Sequence, residues 1–333
     1  MKDESAYLKG DLDTTGIFTY LKPSVESSLF RNGKVLTRRD KDGSDSGWLG
    51  VDREQHEVPV YNARRLEGGN RRTIIRNGFE LLEHPLPDGG IDFFDQDRVV
   101  KTYYGQCEEL VREFTGAHVF AFDHNIRSAS GKQSKQRIPG GQEVQGPAHM
   151  VHGDYTLTSS PQRLRDLTQP STSNDTLRAV LGEGKSLIPP KLAEKALAGD
   201  GRFAIINVWR NIVEEPVATH PLALCDADCV QPGELVVFEV HYAERIGENY
   251  FAKYSPRHKW FYYPHMTRDE ALLIKQWDSD GHLAQTDGAE GDAASSDRAP
   301  CTFSFHSAFE DPATPDDAPD RWSMEVRCMV VYD

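Results

Sequence analysis

The residues with the most chemistry in them are His152, Gly153 and Asp154. On an extended strand, positions i and i+2 face the same way, so this imidazole and carboxylate converge on one point. A nitrogen ligand from a distant segment would complete one face of an octahedral ion. Three positions would then stay open for a co-substrate and O2, the facial-triad arrangement of non-haem Fe(II) sites. His306, at the end of an apolar run in FSFHSAF, is the candidate third ligand. His149 competes with His152, but its odd separation from Asp154 puts it on the other side of a strand. His241, His258 and His265 are the alternatives to His306. A local hydrogen-bonded turn is the alternative for His152 and Asp154, because His-x-Asp by itself recurs by chance.

Arg321 and Ser323 follow His306 and again share one face of a strand. A guanidinium meets a carboxylate bidentately and stays charged in a pocket. The pair is expected to hold the far carboxylate of 2-oxoglutarate; the alternative for Arg321 is pairing with Asp316, Asp317 or Asp320. Arg210 is a candidate second anion-binding group. Arg327 lies on the face of Arg321 and is read as a further carboxylate contact or a neighbour of Glu325. Asn207 and Trp209 share a face and are expected to line the pocket, as are Val330 and Tyr332 on the last strand. Cys225 and Cys229 have no second Cys/His pair at zinc spacing. No G-x-S-x-G, Walker, G-x-G-x-x-G or H-E-x-x-H motif occurs.

The elements that must position these groups follow from periodicity. Spacings of three and four between Asp95 and Thr115 predict an amphipathic helix closed by Gly116. Further helices are expected over 173–181, 190–198 and 269–276. Strands are expected at 118–122, 203–209, 235–242, 260–263, 302–305 and 324–332. Residues 1–95 read as an irregular extension of short strands and loops packed on the rest. The polar loops 126–147 and 278–300 are long enough to act as lids, and the second reads as a mobile surface loop. The fold class is α+β, mainly β, with a barrel-like or double-sheet core, supporting helices and no break into two domains.

The chain has 333 residues, 38% of them hydrophobic, enough for a full core. Its net charge of −14 argues against nucleic acid or an anionic membrane as partner. No apolar run is long enough to span a bilayer. The N-terminal residues show no secretory h-region, and the five cysteines are too sparse for a disulfide scaffold, so a cytoplasmic protein with reduced thiols is expected.

The blocks VHGDYT (151–156), INVWRN (206–211), PVATHPLALCD (216–226), PRHKWFYYPHMTRDEALLIKQWDS (256–279), FHSAFEDP (305–312) and RWSMEVRCMVVYD (321–333) occur in this order. From about residue 95 onward they resemble the CmcJ/NvfI-type, or AsaB-like hydroxylase/desaturase, family of fungal secondary metabolism. The resemblance implies a double-stranded β-helix (jelly-roll, cupin-like) and an Fe(II)/2-oxoglutarate-dependent dioxygenase using O2. It places metal ligands at His152, Asp154 and His306, and the oxoglutarate-binding arginine at Arg321. The family usually has an acidic residue where this chain has Trp322, a ring that would reshape the pocket. The implied reaction oxidises an unactivated C–H bond of a small amino-acid-derived, terpenoid or polyketide substrate, with hydroxylation, desaturation or ring formation as outcomes. Succinate and CO2 are the co-products. A homodimer is compatible with the chain. Two other readings are a metal-dependent hydrolase with the same ligands and a non-catalytic cupin-like binding protein.

Overall fold

A computed structural model describes residues 12–39, 45–87, 90–171, 176–242, 245–292, 299–312 and 314–333. Their fifteen strands form two sheets. The larger contains β1 (Leu12–Leu21), β2 (Leu36–Arg39), β3 (Asp45–Leu49), β4 (Arg53–Asn62), β7 (His152–Gly153), β9 (Leu222–Cys225), β10 (Leu235–His241), β11 (Ile246–Ala252), β12 (Trp260–Tyr262) and β14 (His306–Ala308). Its order is β1-β4-β12-β9-β14-β7-β11-β10-β2-β3. The smaller contains β5 (Phe79–Glu83), β6 (His118–Arg127), β8 (Phe203–Asn211), β13 (Glu270–Asp278) and β15 (Ser323–Val331), in the order β5-β13-β8-β15-β6. His152, Leu222 and His306 from the large sheet and Arg127, Trp209 and Glu325 from the small one line a single cavity, so the sheets face each other across it. This is the double-stranded β-helix expected from the sequence.

Side-chain alternation decides what enters that cavity. In the β15–β8 pairing, Glu325 lies opposite Trp209 and Arg327 opposite Asn207; these residues face inward. Met324 lies opposite Arg210 and Val330 opposite Ala204, on the outer face. That outer face is covered by α1 (Tyr104–Thr115), which packs on β6 and β15. The helical turns Gln96–Arg98 and Val99–Tyr103 lead into α1. Of the expected stripe, Val99, Val100, Tyr103, Cys107, Leu110 and Val111 are buried, whereas Phe114 in the last turn is exposed. Asp95 accepts from the backbone N–H groups of Asp97 and Arg98 at its start, and Gly116, at φ +67°, ends it in the left-handed region.

One expected helix is a strand. DEALLIKQ has helix-forming residues, yet β13 runs antiparallel between β5 and β8. Ala271, Leu272, Leu273 and Ile274 are all buried, so both faces of the segment are in the core. A continuous apolar run in a central strand overrides local propensity. Residues 302–305 are buried outside any strand ladder, with the Ser304 N–H donating to the Lys275 carbonyl and the Phe305 carbonyl accepting from the Cys225 N–H, and the strand begins at His306. In the 173–181 segment the helix covers Arg178–Leu181, and residues 172–175 lie outside the described residues.

The first 95 residues are more integrated than their composition implies. β1 pairs with β4 over nearly its whole length, and β4 joins the large sheet through β12. Phe18 and Tyr20 are fully buried in the main core. Within 278–300, Asp278, Leu283 and Asp292 are also fully buried. Asp292 accepts from the Thr302 N–H and hydroxyl at 2.8 and 2.9 Å. Residues 293–298 of that segment lie outside the described residues.

Candidate metal centre

His306 and His152 are direct cross-strand partners in the β14–β7 pairing. Directly opposed residues bring their Cβ atoms to about 5 Å, which sets two rings on one face within reach of each other. The ring centroids are 4.3 Å apart. Gly153, between His152 and Asp154, faces the other way: a Cβ there would stand 3.0 Å from the Phe303 ring, which favours the smallest residue. Asp154 then turns toward the opposite sheet. Its Oδ1 lies 3.6 Å from His152 Nε2 and 3.9 Å from His306 Nε2. These distances exceed hydrogen-bond length. The three side chains offer ligand atoms that all lie within 4.8 Å of one another.

The protonation pattern suits a cation. A carbonyl can only accept, so the 2.7 Å contact of His152 Nδ1 with the Met150 oxygen puts the ring proton on Nδ1. The lone pair of Nε2 therefore points at Asp154. Burial, then His306, lowers the His152 pKa to about 4, so the ring is neutral at pH 7. Burial alone would raise the Asp154 pKa, but the Arg327 cation in particular holds it well below the usual carboxylate range. His306 Nδ1 is buried without a hydrogen-bond partner. Two imidazoles and one ionised carboxylate, with no thiolate, form a donor set that fits Fe(II).

Beside these three side chains lies a small cavity lined by Arg127, Trp209, Leu222, Ala308, Arg321 and Glu325 among others. Arg321 is 2% exposed. Its Nη1 donates to the His220 carbonyl, its guanidinium carbon stands 5.9 Å from the Trp209 ring centre, and its Nε has no partner. Burial, then the neighbouring Arg127, pushes its pKa down to about 10, so it is still a cation at neutral pH. The Ser323 hydroxyl is likewise buried without a partner. Asp320 does not pair with Arg321; it accepts from Ser128 and Ser130 and pins the start of the 126–147 loop.

Of the expected site residues, His152, Asp154, His306, Arg321 and Trp209 meet at this cavity. Ser323 lies on the same face of β15 as Glu325. Asn207 reaches the site from β8, where its amide donates to Asp154 Oδ2 at 3.2 Å. Arg210 is elsewhere: it points to the outer face and donates to the Tyr103 hydroxyl, the His84 and Arg268 carbonyls and His84 Nδ1. Val330 and Tyr332 are also away from the cavity. They have the opposite parity from Glu325 and Arg327 on β15; Val330 packs in the core, and Arg202 stands 4.1 Å over the Tyr332 ring. Trp322 points outward too, onto Phe94 and Gly131, so it does not reshape the pocket. His241 and His258 pair with Glu239 and Glu234, and His149 stacks edge-on to His220. All five cysteines are free and buried.

Sequence reasoning missed Arg127 and Glu325, which line the cavity, and Gln276, whose Oε1 accepts from the Asp154 N–H at 3.3 Å. A longer β6 would have found Arg127. The shift in β15–β6 register between Arg327 and Cys328 hides its parity, however.

Comparison with known proteins agrees with this geometry. A protein of the dcmA 3′ region of Methylophilus leisingeri is 46% identical over 194 residues, covering 58% of this chain and 88% of that one. The hydroxylase/desaturase poxK of Penicillium oxalicum is 29% identical over 98% of this chain and 92% of its own. The Fe(II)/2-oxoglutarate-dependent dioxygenase nvfI of Aspergillus novofumigatus is 29% identical over 83% of each chain. Among solved structures, the iron and alpha-ketoglutarate-dependent endoperoxidase NvfI superposes with a TM-score of 0.67 and 23% identity. The match covers 96% of this chain and 97% of that one, and it shows a shared fold. No helix among the described residues is long and apolar enough to cross a membrane. The oxidoreductase/YMDC permease-like domain model matches residues 18–331, and the chain belongs to that family.

Proposed function

We propose that this protein is an Fe(II)/2-oxoglutarate-dependent oxygenase in which His152, Asp154 and His306 hold the iron, and Arg321 with Ser323 receives the far carboxylate of 2-oxoglutarate. It oxidises an unactivated C–H bond of a small secondary metabolite, by hydroxylation, desaturation or ring formation. The observation that carries the reading is the conjunction at one cavity. Three ligand atoms converge without bonding one another, and an unpartnered guanidinium N–H and hydroxyl stand nearby. Bound iron, with 2-oxoglutarate and O2, supplies the oxidising power.

The chain's own residues do the rest. The Met150 carbonyl fixes the His152 tautomer. Asn207 and Gln276 steady the Asp154 segment. Arg321, stripped of water and only partly bonded, gains most from a carboxylate in a site where two parallel N–H donors can be satisfied. Trp209, Leu222 and Ala308 give that carboxylate apolar walls that exclude water. A hydrolase with the same ligands would have no use for the Arg321 and Ser323 donors, which is why the oxygenase reading is preferred. We place the enzyme in the cytoplasm, where five reduced cysteines are at home. Size-exclusion chromatography with light scattering checks whether it is a homodimer.

The test is turnover of 2-oxoglutarate. Purified protein with Fe(II), 2-oxoglutarate and candidate amino-acid-derived or terpenoid substrates should release succinate, and a product should show the mass gain or loss of its reaction class. Hydrolysis of a substrate under strictly anaerobic conditions, without need of 2-oxoglutarate, would overturn the reading.

A further inference from the structure

Arg327 is the most heavily engaged charge near the site, and the reaction as proposed gives it no task. Its guanidinium meets three carboxylates from three different segments. Nη1 lies 3.1 Å from Asp123 Oδ2, Nη2 lies 2.8 Å from Glu325 Oε1, and Nε lies 3.7 Å from Asp154 Oδ2. Burial disfavours its charge, but Glu325, Asp154 and Asp123 outweigh that, so it is a permanent cation. Asn207 adds an amide donor to the same Asp154 oxygen. The Asn207 hydrogen bond and the Arg327 charge, which at 3.7 Å stands beyond hydrogen-bond length, therefore both act on Oδ2, while Oδ1 is the oxygen that faces the two imidazole Nε2 atoms. A free carboxylate can offer either oxygen, or both, to a cation. Here one oxygen is held by a hydrogen bond and a nearby fixed cation from the opposite sheet.

We propose that Asn207 and Arg327 are positioning residues that restrict Asp154 to binding the metal through Oδ1 alone. Resting on the iron reading above, this assigns them a consequence beyond it: they keep a coordination position open that a two-oxygen aspartate would occupy. Register is what makes this work. Asn207 and Arg327 are opposed residues on β8 and β15, so one cross-strand pair delivers an amide donor and a cation to a carboxylate on the facing sheet. Glu325 and Asp123 in turn hold the Arg327 fork, so the guanidinium cannot swing into the open positions. Donors behind metal ligands commonly change metal affinity 10–100-fold when removed.

The experiment titrates the purified protein with Co(II) alone, reading affinity and the visible d–d spectrum, which reports coordination number without any turnover. The variants are Asn207→Ala, Arg327→Lys and Arg327→Gln, each checked by circular dichroism and thermal midpoint. Asn207→Ala and Arg327→Gln should bind Co(II) with an affinity changed about 10-fold or more, and with weaker d–d bands as the second aspartate oxygen enters. Arg327→Lys, which keeps the charge, should stay nearer wild type. If Arg327→Gln does not fold, Asn207→Ala decides alone. Folded variants with the wild-type affinity and spectrum would overturn the proposal. Failure of the wild type itself to bind one Co(II), or binding that survives His306→Ala, would instead overturn the metal centre and this proposal with it.

Discussion

Arg210 and Arg321 are two buried arginines near the same end of the small sheet, one outside it and one inside. Arg210, on the outer face, donates to two carbonyls, a tyrosine hydroxyl and an imidazole nitrogen within 2.6–2.9 Å. Arg321, on the inner face, reaches one carbonyl, leaves Nε unpartnered and stands beside a second cation, Arg127. A buried guanidinium bonded through all three of its nitrogens is part of the fold. One left short of acceptors is costly, and the cost is recovered only when an anion arrives. The same contrast separates the inner cluster from the buried Lys275–Asp278–Arg202 group. There Arg202 grips Asp278 bidentately at 3.0 and 2.8 Å, and Lys275 adds a 3.0 Å bond. Residue type and burial thus do not mark the candidate site; an orphaned guanidinium N–H and hydroxyl grouped with three convergent metal-binding side chains do.

The largest effect expected is at the ligands. His306→Ala should lower iron affinity and succinate formation by on the order of 100-fold or more, while the thermal midpoint holds or rises as a buried polar ring is removed. Near-normal turnover would move the third ligand elsewhere. The two arginines should then divide. Arg210→Met strands two carbonyls and a hydroxyl, so unfolding free energy should fall by about 3–5 kcal/mol with little change in the 2-oxoglutarate requirement. Arg321→Met should leave stability near wild type but raise that requirement by about 2 kcal/mol, roughly 30-fold. If the two variants exchange these phenotypes, the division into outer and inner faces is wrong.

The outer face also carries a pH signature. His124, opposite Val326 on β15, is buried against the Tyr104 hydroxyl, and burial lowers its pKa to about 4. Its unfolded value is about 6.5. The unfolded chain therefore takes up the proton first, and this residue costs stability progressively as pH falls from about 6.5 to about 4, by up to roughly 3 kcal/mol. Denaturant titrations of wild type and His124→Gln across that window should show a flatter slope for the variant; equal slopes would mean the ring is not held neutral. The smallest effect is at Trp322. Because its ring sits on Phe94 and Gly131, Trp322→Ala should cost about 1–2 kcal/mol of stability and leave the 2-oxoglutarate requirement unchanged. A changed requirement would return that ring to the pocket.

Much of the site was legible because a strand's period of two is visible in sequence. His-x-Asp, the strand-end His306 and Arg-x-Ser each need only local parity, and β14, β7 and the lead into β15 bring them together. Parity also excludes Val330 and Tyr332, since both stand at odd separations from Arg321; the alternation available in the sequence argued against them. What stayed hidden was set by non-local pairing. The partners of Arg210 come from His84 and Arg268, far away in the chain. Arg327 meets Asp154 only because two sheets face each other. β13 looked helical because its residues favour helices, and only its place between β5 and β8 makes it a strand. Composition misled at both ends of the scale of polarity. The Asp-rich run after 278 buries Asp278 and Asp292, whose partners Lys275 and Thr302 lie outside the run's polar centre.

The most direct measurement is an anaerobic optical titration of metal-free protein with Fe(II) and then 2-oxoglutarate. One equivalent of each should produce a weak visible charge-transfer band. The band should be absent in Asp154→Ala and should need a higher 2-oxoglutarate concentration in Arg321→Met than in Arg210→Met. Iron bound tightly by the wild type with no band at saturating 2-oxoglutarate would contradict the assignment of this cavity as the place where the two meet.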